Sequence, residues 1–120
     1  LRLFPELTSW DNVQIKNKLT NYLSPKTIKE QFERLGISDK IDTKVEFMSY
    51  GQKQRLAFIR ALAQPFDFLL LDEPVSHLDE DNAGVMSQMI KERMKETGAG
   101  LIVTSVGRIL PMDYDERYKL

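Results

Sequence analysis

With 120 residues, 42% of them hydrophobic, and 17 basic side chains against 18 acidic ones, the chain has the make-up of one globular domain with room for a core. The formal net charge of -1 offers no basic surface that would demand nucleic acid or an anionic membrane as a partner. Cysteine is absent, which excludes disulfides and thiolate metal sites, and the apolar stretch Phe66 to Leu71 falls far short of the ~20 residues of a spanning helix. The chain opens Leu-Arg-Leu-Phe-Pro, with neither an initiator Met nor a charged leader, and is expected to be part of a longer subunit.

Thr8-Ser9 followed by Asp11 marks a helix start, with Val13, Leu19 and Leu23 as a loose apolar face. Ser24 as N-cap and Pro25 at the first helical position open a second helix, whose face Ile28, Phe32, Leu35 ends at Gly36. Ile37 to Phe47 is charged and without period. Met48-Ser49-Tyr50-Gly51-Gln52 opens a third helix with the stripe Leu56, Ile59, Ala63 and with Phe58 and Leu62 beside it, closed by Pro65. Phe68-Leu69-Leu70-Leu71 is a short apolar run of the kind found in strands covered on both faces. A fourth helix is expected from about Glu80 to Lys95, with Val85, Met86, Met89, Ile90 and Met94 in helical period, ending at Gly98 and Gly100. Leu101 to Thr104 is a second buried-strand candidate and Arg108 to Met112 a third. The alternation of helix and strand implies an α/β fold with a parallel sheet.

Two segments carry candidate chemistry. In Phe68 to Asp79, FLLLDEPVSHLD, a buried strand ends in adjacent carboxylates at the carboxyl edge of a sheet, where α/β proteins bind ligands. Asp72 is then expected to face a metal ion and Glu73 a water, since two charges in an apolar surround need a cation. Alone, Asp-Glu-Pro is equally readable as a plain strand end. In Met48 to Arg55, MSYGQKQR, a serine and a glycine at a helix N-terminus make an anion site from backbone N–H groups, a hydroxyl and the helix dipole. Alone, that pattern is also a Ser N-cap beside a permissive glycine.

Taken together, in this order and spacing, the two segments resemble the ABC-type ATPase family. MSYGQKQR is similar to the family's signature loop, FLLLDEP to its Walker B strand, and Ser76-His77-Leu78-Asp79 to its D-loop. LRLFPELTSWDNV resembles the stretch after the Q-loop, so the likeness extends to about Gly107. The resemblance implies the C-terminal part of a P-loop NTPase domain: a helical subdomain over residues 1–47, then residues 48–120 with signature loop, Walker B strand, D-loop, switch strand and tail. It implies ATP and Mg²⁺ as cofactors and a sandwich of two nucleotide-binding subunits. Ser49 and the Gly51 amide would contact the γ-phosphate across that dimer, with Tyr50 and Gln52 in the same loop. Asp72 would hold Mg²⁺ through water, Glu73 would act as general base, and Asp79 would link the two sites.

Departures accompany the match. No G-x-x-x-x-G-K-[ST] phosphate loop occurs in the chain. Tyr50 replaces the commonest signature glycine, as in members resembling the branched-chain amino-acid transporter group. Ser105 stands where the family's switch histidine normally lies, and a hydroxyl is a poorer proton partner than an imidazole. Either hydrolysis is slower, or Ser105 or a water makes that contact. The one histidine, His77, is expected to be a solvated loop residue, while Lys53 and Arg55 are equally readable as a phosphate patch or as a solvated helix face. Phe4, Trp10 and the methionine stripe are expected to be packing residues.

The implied function is ATP hydrolysis powering a membrane transporter, on the cytoplasmic face of the cell membrane, with the helical subdomain docked on transmembrane subunits and no nucleic acid involved. The isolated chain would be inactive. The alternatives are a non-transport ABC ATPase such as a translation factor, or a degenerate regulatory half donating its signature loop. Residues 1–47 carry no heptads, which argues against the coiled-coil repair and chromosome members. Strands deprived of neighbours leave open edges, so the chain is expected to self-associate.

Overall fold

Residues 3–74 and 78–104 are described by the structure, a computed structural model, and the elements start where short polar side chains can cap them. Thr8 is extended and its hydroxyl accepts the Asp11 amide, opening α1, Ser9–Thr20. Only part of the expected apolar face of α1 is used: Val13 is fully buried, while Leu19 is 77% exposed. The helix is held instead by polar pins. Asn12 receives the Phe4 amide at 2.7 Å and donates to the Thr8 carbonyl at 2.9 Å. Asn17 bonds both the N–H and the C=O of Leu23, at 2.9 and 2.8 Å, and so closes the corner into the next helix. Buried amides that spend their donors and acceptors in this way stabilise one chain path rather than a generic collapse.

Helix α2, Pro25–Arg34, has the expected Ser24 cap and proline start, and Ile28 and Phe32 face the core. It ends where Gly36 takes φ 68°. The expectation for Arg55 is corrected here. Its Nη1 donates to the Leu35 carbonyl at 2.8 Å, placing a cation on the orphan end of α2, and its Nε donates to Gly51 O at 3.2 Å. Two 3₁₀ turns, Ser38–Lys40 and Val45–Phe47, occupy the segment without period. Between them the chain runs back beside residues 5–9, with Ser9 N–H bonded to Thr43 O and Val45 N–H to Leu7 O.

Helix α3, Tyr50–Leu62, crosses the middle of the core. Leu56 and Ile59 are fully buried with Val13, Ile28, Phe32 and Leu35. At its C-terminus lies Arg93 of α4, Glu80–Thr97. That guanidinium donates to the Leu62 and Gln64 carbonyls and sits 4.8 Å from the Tyr22 ring and 5.1 Å from the Phe66 ring. Burial pushes Arg93 below the ordinary guanidinium value, while the aromatic faces and carbonyls favour its charge. Met86, Met89 and Ile90 of α4 are buried and Met94 packs on the same cluster, as core packing requires.

β1, Phe68–Asp72, and β2, Gly100–Thr104, pair in parallel, from Phe68 opposite Gly100 to Asp72 opposite Thr104, with α4 between them in sequence. The expectation of strands covered on both faces is corrected for the described residues. Leu69 is 7% exposed, but Phe68, Leu70 and Ile102 are 69%, 68% and 51% exposed. A strand alternates its side chains, and nothing described lies on that second face. The third strand expected at Arg108 to Met112 lies outside the described residues.

Candidate functional site

The carboxyl edge of the two-stranded sheet is where the acidic pair emerges. Asp72 closes β1 and is exposed, and its Oδ1 accepts the Thr104 hydroxyl at 2.6 Å across the register pair. Glu73 follows with φ 48°, a left-handed conformation that a residue bearing a side chain adopts only when its surroundings impose it. Its N–H continues the ladder to the Thr104 carbonyl at 2.8 Å, and its carbonyl accepts Gln54 Nε2 at 3.2 Å. Asp72 is exposed, so desolvation does not by itself demand a cation here, contrary to the expectation of an apolar surround. Donor chemistry still fits one. Asp72 forms no ion pair among the described residues, and a carboxylate beside a hydroxyl is the oxygen set that a hard cation takes.

At the other pole, Ser49 caps α3. Its hydroxyl accepts the Gln52 amide at 3.2 Å, and Gln52 Oε1 accepts the Ser49 amide at 2.9 Å, a reciprocal capping box. The side chain of Gln52 is therefore engaged in holding the helix start. Tyr50 is 51% exposed, and Ser49 is exposed beside it. First-turn amides, Gly51's included, have no intrahelical carbonyl to bond, so this helix end keeps its partial positive charge.

Asp79 caps α4, its carboxylate accepting the Asn82 amide at 2.8 Å, which accounts locally for an acidic residue at that helix start. Ser105, Ser76 and His77 lie outside the described residues. The structure thus brings Asp72 and Glu73 together with Thr104 and joins them, through Gln54, to the helix that Ser49 begins. Reading the residues one by one missed Gln54 and Thr104. For Gln54 a signal existed: it stands four residues before Phe58 and eight before Leu62, a polar side chain on an apolar stripe. Thr104 had none, because only the strand register sets it opposite Asp72.

The description "ABC transporter" belongs to the family model that matches residues 1–76, more than half of the chain. The chain belongs to the ABC transporter family of ATP-binding proteins. Similar curated proteins carry the same description. An uncharacterized ABC transporter ATP-binding protein, YybJ of Bacillus subtilis, is 31% identical over 88% of this chain and 48% of its own length. The lipoprotein-releasing system ATP-binding protein LolD 2 of Rhodopseudomonas palustris is 30% identical over 99% of this chain and 53% of its own. The phosphonates import ATP-binding protein PhnC of Fusobacterium nucleatum is 35% identical over 74% of this chain and 43% of its own. The chain therefore spans about half the length of the curated relatives it matches. Among solved structures, an RNase-L inhibitor superposes with TM-score 0.71 at 28% identity, over 87% of this chain and 20% of that one. A complex of an archaeal ribosomal stalk protein with the archaeal ribosome recycling factor gives the same values. The parallel strand pair with its helices is thus part of the P-loop NTPase fold of ABC ATPases.

Proposed function

We propose that this chain belongs to the ATP-hydrolysing subunit of a membrane transporter and supplies that subunit's signature helix and its catalytic carboxylate. The observation that carries this is the acidic pair Asp72-Glu73 at the carboxyl edge of a parallel strand, bonded to the same helix whose capped N-terminus presents Ser49 and Gly51. Ser49 and the Gly51 amide would contact the γ-phosphate of an ATP held by a second subunit, with Tyr50 and Gln52 shaping that helix end. Glu73 would orient and deprotonate the attacking water. Asp72 would hold Mg²⁺, which when bound neutralises phosphate charge. Positioning and charge neutralisation are most of what phosphoryl transfer asks of a protein. Asp79 would connect the paired sites, and Ser105 would stand at the switch position.

Residues 1–47 are proposed as the helical part that docks on transmembrane subunits, at the cytoplasmic face of the membrane. No described helix is long and apolar enough to cross a membrane. The relatives named as lipoprotein-releasing and phosphonates-import proteins support the transport reading. A translation role is the second reading, favoured by the likeness to the ribosome recycling factor.

The test is Mg-dependent ATP hydrolysis by the full-length subunit. Glu73→Gln is expected to lower kcat by about a hundredfold or more while ATP binding persists. Wild-type turnover unchanged by Glu73→Gln would reject the base assignment. Negligible wild-type turnover, restored by Ser105→His, would place the chain in a degenerate regulatory half.

A further inference from the structure

Gln54 is only 7% exposed on a side of α3 that otherwise carries Phe58 and Leu62, and its Nε2 donates to the Glu73 carbonyl at 3.2 Å. A buried amide is costlier than a buried leucine unless it is hydrogen-bonded, so its hydrogen bonds, the one to Glu73 among them, are where its value lies. The acceptor is the peptide of a residue held at φ 48°. Such a turn is held from outside, and here it is clamped on both sides: β2 takes the Glu73 N–H through Thr104 O, and α3 supplies the donor to the Glu73 C=O. Thr104 also fixes Asp72 through its hydroxyl.

We propose that Gln54 is a positioning residue that locks the left-handed turn of Glu73 to α3, so that the phosphate-facing end of this helix and the carboxylate shift as one body. The proposal rests on reading Glu73 as the water-activating group. Gln54 stands five positions after Ser49, about 7.5 Å along the axis at ~1.5 Å per residue. A γ-phosphate engaging Ser49 and Gly51 from the partner's side would therefore be felt at this chain's own Glu73 within two helical turns. The sandwich then has a path between its two sites that runs through a single buried amide.

The experiment uses the full-length subunit and measures kcat, ATP affinity and melting temperature for Gln54→Met, which keeps length and burial but removes the donor. A drop in kcat of about ten- to a hundredfold is expected, as for a reacting group displaced by up to an ångström, with ATP affinity within about twofold of wild type. Gln54→Asn, which keeps the amide one carbon short, should fall between, and carries the same test if the methionine variant does not fold. In the Glu73→Gln background, Gln54→Met should cause no further loss of the residual rate. Equal losses of kcat and affinity, or a further drop of the same factor in the double variant, would overturn the positioning role. Full kcat in Gln54→Met beside an inactive Glu73→Gln overturns it too, leaving the base assignment standing. A Glu73→Gln enzyme that still turns over removes that assignment, and this proposal with it.

Discussion

The helices α1 to α3 and the strand pair β1–β2 solve the same problem to different degrees. In the helical region Val13, Ile28, Phe32, Leu35, Leu56 and Ile59 are all fully buried, and the corners are tied by Asn12, Asn17 and Arg55. In the sheet, Leu69 is buried while Phe68, Leu70 and Ile102 stand 69%, 68% and 51% exposed on the opposite face. The difference follows from geometry. An amphipathic helix needs one apolar neighbour, and each helix here has one. A strand apolar on both faces needs two layers and a partner on each edge, and the described residues supply one layer and one edge. Stability therefore concentrates in the helices, while the proposed catalytic carboxylate lies at the end of the less covered element.

The comparison is tested most sharply at its strong side. Phe32→Ala should destabilise the chain by about 3–5 kcal/mol, because it opens a void among fully buried neighbours. Urea unfolding checks this, and a loss below about 1 kcal/mol would show that the helical core relaxes freely. At the weak side, replacing Phe68, Leu70 and Ile102 together by threonine should change unfolding by only about 0.5 kcal/mol per site, as exposed substitutions do. The same change should suppress self-association of the 120-residue chain in sedimentation. A wild-type chain that stays monomeric at all concentrations would break the inference that the open face seeks a partner.

The smallest effect is expected where the two regions meet on the surface. Arg34 grips Glu92 with two bonds of 2.8 and 2.9 Å, joining α2 to α4. The hydrogen bond to Arg34, reinforced by its charge, holds the Glu92 carboxyl below its ordinary value, and the same pair raises Arg34. A depressed carboxylate contributes stability that is present above its unfolded pKa and lost as pH falls through the folded one. The contribution should therefore be full at neutral pH and fade below about pH 4. Both side chains are more than a third exposed, so solvent screening limits it to about 0.5 kcal/mol. Comparing Glu92→Gln with wild type at pH 7 and pH 3 checks the sign: the gap should close in acid.

Element existence was legible because local chemistry decides it. Ser24-Pro25, Ser49 with Gln52 three residues on, and the glycines at 36 and 98 mark helix ends through bonds and dihedral angles that the neighbouring residues themselves supply. The acidic pair was legible for the same reason, since a strand that stops in Asp-Glu-Pro brings both residues to its end, where Asp72 is exposed. Leu19 was misjudged because helical spacing says which side chains share a face and not whether anything covers it.

From the sequence alone came the order of helices and strands, the capped helix start at Ser49 and the place of Asp72 and Glu73. The tertiary structure decided what the pieces are fastened to. Gln54 reaches Glu73 across 19 residues, Thr104 reaches Asp72 across 32, and Arg93 reaches the end of α3 across 31. Those bonds depend on strand register and helix packing, which join distant residues through contacts that no local spacing encodes.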